Sequence, residues 1–204
     1  MFKIAICGKA NSGKNTTAHI LCESLKDLLE PNQSEVSWND GIKFIAFADP
    51  IKEMIKLMFP NLKRDLLYGP SYLRAQVIPG AFKDGQPLTI RQLLIDLGTG
   101  TGRVYKEDVW LDAFDNTCNV LCNKHTIIVT DVRFRNEFNH LKYKNFYLIK
   151  LKRDSELRMN HSTETDQDTI QPSEFDYIIH NNGSLDDLKV EVKKLVKNII
   201  HLQA

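Results

Sequence analysis

No apolar run in the chain approaches the roughly 20 residues that a bilayer-spanning helix needs, and no segment is amphipathic enough to suggest a surface anchor. The chain opens with MFKIAICG, which reads as a strand. A basic start, an apolar core and a small-residue cleavage site are all missing, so a secretory leader is not expected and a cytoplasmic location is. Cysteine is sparse. The four thiols, Cys7, Cys22, Cys118 and Cys122, include no Cys-x-x-Cys pair. Cys118 and Cys122 stand four apart on one expected helix, but no adjacent His or carboxylate completes a four-ligand metal set, so all four are read as reduced core thiols. An excess of one charge is also lacking: 27 Lys and Arg against 26 Asp and Glu leave +1. No whole-molecule field therefore favours nucleic acid or an anionic membrane, and anion binding has to come from local sites. Low-complexity segments and internal repeats are absent too, which excludes a disordered or solenoid chain.

What remains is an ordinary globular composition, 42% apolar and 26% charged over 204 residues, enough for one well-filled core and thin for two. A single domain over residues 1–204 is expected. Strand-like runs rich in Ile, Val, Phe and Tyr lie at 3–7, 43–47, 126–130, 145–151 and 175–180. Helical spacing of apolar residues fills 14–29, 51–59, 89–97, 107–122 and 134–142. That alternation predicts a three-layer α/β domain, a mostly parallel sheet with helices on both faces. A last helix starts at the Ser184–Asp187 capping signature and carries the stripe Leu185, Leu188, Val192, Leu195, Val196 and Ile199. Two stretches exceed this scheme. An insertion over about 50–123 contains a Gly/Pro-punctuated loop at 68–87, and a polar segment over about 152–173 carries Arg153, Arg158 and His161 like a flap.

Residues 8–16, GKANSGKNT, join the first strand to the first helix. Gly8, Gly13 and Lys14 have the G-x-x-x-x-G-K spacing in which backbone N–H groups surround phosphate oxygens, a helix N-terminus adds positive charge, and lysine neutralises the β/γ-phosphates. Lys9, Ala10, Asn11 and Ser12 complete the cradle, which is read as an ATP site. Asn15 stands where a Ser or Thr hydroxyl normally reaches Mg2+, and Thr16 follows it. This GK-x-T ending resembles that of nucleoside monophosphate kinases such as adenylate kinase. GTPase signatures do not accompany it: the one Asn-Lys pair, Asn123-Lys124, is followed by His125 and Thr126.

Asp131, in TIIVTDVRFRNE, ends the third central strand at the carboxyl edge, where such folds keep a carboxylate near magnesium. Thr16 and Asp131 are thus the metal-side candidates. Arg133, Arg135 and Glu137 follow, and arginines beside a carboxylate suit forked recognition of phosphate; Arg135 reads equally as helix surface charge. Arg91 in a helical first turn, and Arg103 after the GTGTG stretch, are candidate clamps for an acceptor phosphate. Gly98, Gly100 and Gly102 suit close backbone approach to a ligand or a helix end followed by a loop. Lys52, after Asp49 and Pro50, either reaches phosphate or faces water. Trp110 is a core aromatic or a stacking partner for a base. Arg153 and Arg158 either close over a γ-phosphate or belong to an ordinary solvated loop.

Taken in order along nearly the whole chain, GKANSGKNT, FADPIKEMI, TIRQLLIDLGT, EDVWLDAF, IIVTDVRFRNE, KRDSELRMNHSTE and IIHNNGSLDDL resemble the bacteriophage deoxynucleoside monophosphate kinases. The resemblance implies a P-loop kinase fold, ATP with Mg2+ as donor complex, and a small-molecule deoxynucleoside 5'-monophosphate as acceptor. On matching positions it implies that Lys14 and the loop from Gly8 to Thr16 hold ATP. Lys52, Arg91, Gly98, Thr99, Trp110, Asp131 and Arg133 would then surround the acceptor, with Arg153 and Arg158 in a lid. It also implies a homodimer, and host cytoplasm if the source is viral. The alternatives are another small-molecule P-loop kinase, of the dephospho-coenzyme A or phosphomevalonate type, and a non-catalytic ATP-binding switch.

Overall fold

The computed structural model describes residues 1–29, 41–154 and 167–201. They form two compact units, one of residues 1–46 and 117–204, the other Phe47–Asn116.

The first unit is built on a five-stranded sheet. Its strands are β1 (Lys3–Cys7), β2 (Ile42–Ile45), β5 (Thr126–Val132), β6 (Tyr147–Lys152) and β7 (Tyr177–His180), in the order β2-β5-β1-β6-β7. Every neighbouring pair is parallel, with Ala5 opposite both Val129 and Leu148. Strands buried on both faces need continuous apolar runs, and KIAIC and TIIV supply them. Helices α1 (Lys14–Leu29) and α8 (Leu185–His201) cover one face. There Ile4, Ile6, Leu21, Leu25, Ile149, Leu151, Val192 and Val196 close a dry core. Ser184 and Asp187 cap α8 reciprocally: Ser184 N–H donates to Asp187 Oδ2 at 2.8 Å, and Asp187 N–H to Ser184 Oγ at 3.2 Å. On the opposite face α7 (Arg135–Tyr143) buries Phe138 and Leu141, and the Phe138 ring meets Phe175 edge-on at 4.9 Å. Asn145 ends the connection from α7 at φ 59°, so β6 begins at Tyr147, two residues later than its composition suggested. A left-handed residue after a helix reverses the chain and cannot continue a strand.

Sheet topology fixes where a ligand belongs. Strand β1 sits between β5 and β6, where the winding direction reverses, and the carboxyl ends of all five strands share one edge. Residues 8–13 leave β1 at that edge and lead into α1.

The second unit holds α2 (Asp49–Met58), α3 (Arg64–Tyr68), a hairpin of β3 (Val77–Lys83) and β4 (Gln86–Thr89), α4 (Ile90–Ile95) and α5 (Arg103–Tyr105), and the start of α6 (Val109–Leu121). Ile51, Ile55, Leu67, Ile78, Ile90, Leu93 and Trp110 form its core. Two features correct the sequence expectation. The stretch at 68–87 is not a plain loop, because β3 and β4 pair antiparallel around Asp84 and Gly85. Both turn residues have positive φ, 50° and 76°, as a two-residue hairpin turn requires. The glycine stretch is not a flexible loop either: Asp96–Gly102 continues α4 as a seven-residue π-helix into α5. A Cβ on Gly102 would lie 2.2 Å from Trp110 Cζ2, so the absence of a side chain there lets the helix close on the indole.

Candidate active site

In the first unit the loop between β1 and α1 has the shape of an anion cradle. Asn11 and Gly13 take positive φ, 59° and 99°, and Ser12 N–H turns back to Lys9 O at 3.2 Å. Successive right- and left-handed residues turn backbone N–H groups inward, and α1 adds first-turn donors that no helical carbonyl can satisfy. Space is tight at both glycines. A Cβ on Gly8 would lie 2.7 Å from Leu151 O and from Ser12 Oγ, and one on Gly13 would lie 2.5 Å from Asn181 Nδ2. Lys14 folds over the loop, its Nζ donating to Gly8 O at 2.6 Å and Lys9 O at 2.7 Å. A cation held against loop carbonyls stands where phosphate oxygens would be neutralised. Among the described residues, buried Ser12 Oγ and Thr17 Oγ1 have no hydrogen-bond partner, which marks the loop as a place built around polar chemistry. Asn15 and Thr16 are exposed on the first turn of α1.

The neighbouring strand contributes the carboxylate. Val132, the last residue of β5, lies opposite Cys7, the last of β1, so Asp131 stands one residue short of the carboxyl edge, half-buried. Among the described residues no three His, Cys, Asp or Glu side chains gather into a metal cluster. Magnesium at nucleotide sites characteristically takes one or two protein oxygens and completes its shell with water and phosphate. Asp131 and the Thr16 hydroxyl have that chemistry, and the donor set fits it.

Other expected site residues resolve differently. Arg133 is exposed beside the strand end. Glu137 is buried, and its Oε2 accepts from Arg133 N–H at 2.8 Å and Phe134 N–H at 3.1 Å. It caps α7 and fixes the backbone that carries Arg133. Arg135 forms a two-pronged pair with Glu174 at 2.6 Å on each arm, so its ion-pair use replaces the phosphate reading. That guanidinium, followed by the Gln171 N–H, holds the Glu174 carboxyl down at about 2 from an ordinary 4.5. A depressed carboxylate contributes stability above its unfolded pKa and loses it as pH falls through the folded one. Glu174→Gln is therefore expected to flatten the fall in melting temperature between pH 4.5 and about 2, relative to the unmodified chain. Parallel melting curves in thermal scans at those pH values would contradict this pairing.

Arg153 is exposed immediately after β6, and Arg158 lies outside the described residues. At the far end of the polar segment Asp168 pairs with Lys9 of the loop at 2.9 Å, and the Gln167 amide donates to Val132 O at 3.0 Å. Beneath the loop, burial pushes the Cys7 thiol up to about 12, so it stays neutral. Burial also pulls the ammonium of Lys150, its partner in the β1–β6 register, below its usual value.

In the second unit Lys52 neither faces water nor stands alone. It is buried, pairs with Asp49 at 2.7 Å, and lies 4.6 Å from the centre of the Tyr68 ring. Arg91 is exposed, donating to Ser71 O at 2.9 Å, and Arg103 donates to Glu107 O at 3.2 Å. Thr99 lies half-exposed on the π-helix and Gly98 is buried in it. Trp110 is the one residue whose stacking role gives way. Its ring is only 7% exposed, and its indole N–H bonds Gly98 O at 2.7 Å, so it packs the core and pins the π-helix.

Sequence reasoning missed Asn181 and the capping use of Glu137. Asn181 stood in a quoted motif, but a polar pair after the last strand has no chemistry of its own until its neighbours are known. Glu137 three residues after Phe134 had the spacing of a capping carboxylate, which would have found it.

A parallel five-stranded sheet with a glycine-bounded anion loop after its central strand, and a carboxylate on the adjacent strand end, defines a P-loop kinase fold. The sequence profile of the deoxynucleotide monophosphate kinases matches residues 72–192, more than half of the chain. The chain belongs to that family and is an ATP-dependent phosphotransferase. A protein of Acanthamoeba polyphaga mimivirus, provisionally named a deoxynucleotide monophosphate kinase, is 25% identical over 210 residues, covering 97% of each chain. Among solved structures, a Janibacter sugar kinase aligns over 97% of this chain and 95% of its own, with 16% identity and a TM-score of 0.48. A dephospho-CoA kinase from Campylobacter jejuni aligns over 98% of both chains, with 14% identity and a TM-score of 0.47. No described helix is long and apolar enough to cross a membrane.

Proposed function

We propose that the protein transfers the γ-phosphoryl group of ATP to a deoxynucleoside 5'-monophosphate, giving ADP and the deoxynucleoside diphosphate. An acceptor phosphate oxygen forms the new bond to the γ-phosphorus, and the bond to the β–γ bridging oxygen breaks. The observation that carries this reading is the loop of residues 8–16, with Lys14 folded over its carbonyls, in a chain of this family. Phosphoryl transfer asks a protein chiefly for positioning and neutralisation of charge. The loop N–H groups and Lys14 bind and orient the donor. Mg2+, held by Asp131 and Thr16, would supply further neutralisation of the β- and γ-phosphate oxygens.

Arg91, Arg103 and Arg133 are the cations for the acceptor phosphate. Arg91 is parked on a main-chain carbonyl, a neutral partner that a phosphate outcompetes because a doubly charge-assisted hydrogen bond is stronger, and Arg103 donates to the Glu107 carbonyl. Lys52, Gly98 and Thr99 complete the acceptor set, with Trp110 holding Gly98 in place. Arg153 and Arg158 belong to the donor side. A homodimer and a cytoplasmic location, the host's for a viral source, remain part of the proposal.

A coupled ADP-release assay across deoxy- and ribonucleoside monophosphates, dephospho-coenzyme A and phosphomevalonate tests the acceptor. Stimulation confined to one or more deoxynucleoside monophosphates is expected. Stimulation by dephospho-coenzyme A or phosphomevalonate alone would move the activity to those kinases, and tight ATP binding with no stimulated turnover would make the protein a switch.

A further inference from the structure

The two asparagines that follow β7 clasp two segments at the carboxyl edge of the sheet. Asn181 is buried, and its Nδ2 donates to Ser12 O of the phosphate loop at 2.8 Å. Its own N–H donates to Lys152 O, the last residue of β6, at 2.7 Å. Asn182 exchanges two hydrogen bonds with Asp154, from Asp154 N–H to Oδ1 at 2.8 Å and from Nδ2 to Asp154 Oδ2 at 2.7 Å. The chain between these anchors carries Arg153.

We infer that Asn181 is a positioning residue for the donor nucleotide: through the Ser12 carbonyl it holds the Ser12–Gly13 peptide in the orientation that turns the loop's N–H groups inward. This rests on reading residues 8–16 as the ATP site. The geometry supports more than packing. A peptide group is rigid and planar, so fixing its carbonyl on one side fixes the direction of its N–H on the other. The Ser12 carbonyl and the Gly13 N–H belong to one such plane. The amide of Asn181 also lies where a Cβ on residue 13 would be, 2.5 Å away. Glycine at that position is thus required twice, for its φ of 99° and for the room that Asn181 occupies. A donor removed from this contact leaves a buried carbonyl with one partner fewer and a loop able to turn its peptide outward.

Asn181→Leu keeps the branched shape and the neutral charge of the side chain, with larger methyl ends, and loses the donor; Asn181→Ala loses both the shape and the donor. Calorimetric ATP binding to the full chain and steady-state KM values for both substrates separate positioning from packing. Positioning predicts that both variants weaken ATP binding and raise its KM by about tenfold, the scale of one hydrogen bond of this kind. The acceptor KM of Asn181→Leu should stay near that of the unmodified chain, and its melting temperature should fall by no more than the few degrees that one buried hydrogen bond accounts for. Unaltered ATP binding in Asn181→Leu, with a loss only in Asn181→Ala, would overturn the inference in favour of packing. Should Asn181→Leu fail to fold, the ATP-against-acceptor KM split of Asn181→Ala decides alone, with an equal rise in both overturning it. If the unmodified chain binds no ATP, the functional reading falls as well, which is a different result from either.

Discussion

Lys14→Ala is expected to lower kcat by about two to three orders of magnitude, the usual cost of deleting one preorganised electrostatic stabiliser at a reacting centre. The ammonium sits within 2.7 Å of two loop carbonyls and has no role in either apolar core, so the fold should survive the change. Those carbonyls hold the charge over the loop before a nucleotide arrives. A triphosphate brings anionic acceptors within reach of the ammonium, and the interaction strengthens further as charge builds on the transferring group. Lys14→Arg should recover little, since a planar fork does not reproduce a compact point charge. Rates from the coupled assay, with circular dichroism melts to show folding, check the pair. A Lys14→Ala rate within tenfold of the unmodified enzyme would remove the lysine from the chemistry.

Gly13→Ala should be nearly as damaging, by a different route. Residue 13 has φ 99°, a region that costs a residue with a Cβ about 1–2 kcal/mol. The new methyl group would also meet Asn181 Nδ2 at 2.5 Å, too close without movement of the loop or of the buried amide. Both effects turn the cradle away from phosphate, and ATP affinity is expected to fall about a hundredfold, which corresponds to roughly 3 kcal/mol. Neighbours in contact do not act independently. Removing the Asn181 side chain from Gly13→Ala removes the collision and leaves the backbone penalty. The double variant should therefore bind ATP more tightly than the two single losses added together. Strict additivity in calorimetric titrations would mean that the two residues do not share one geometry.

Much of the donor half was legible because its information is local. The boundaries of β1 and α1 follow from an apolar run, two glycines and a helix start, and the structure places them at Lys3–Cys7 and Lys14–Leu29 as the sequence indicated. Asp131 was singled out by the rule that ligands gather at the carboxyl edge of a parallel sheet, and the structure places it next to the last residue of β5. The second unit was harder to read. In the hairpin, Pro79 and Gly80 interrupt the alternation of β3 and hide the strand, although Asp84-Gly85 was itself a hairpin signal. The π-helix of Asp96–Gly102 depends on Trp110 packing against Gly102, a contact that no window of propensities contains. Charged residues were the least reliable guide. Arg135 and Glu137 look like ligand groups in a string of letters, yet they are bound to Glu174 and to two backbone N–H groups. A charge near a site and a charge that builds the site have the same composition, and only partners tell them apart.

The most direct measurement is transfer of label from γ-phosphate-labelled ATP to a deoxynucleoside monophosphate, with the products separated by ion-exchange chromatography. The account predicts label in the β-phosphate of a deoxynucleoside diphosphate, formed in step with unlabelled ADP and nearly abolished by Lys14→Ala. Label released only as inorganic phosphate, or retained in ATP with every deoxynucleoside monophosphate offered, would contradict it.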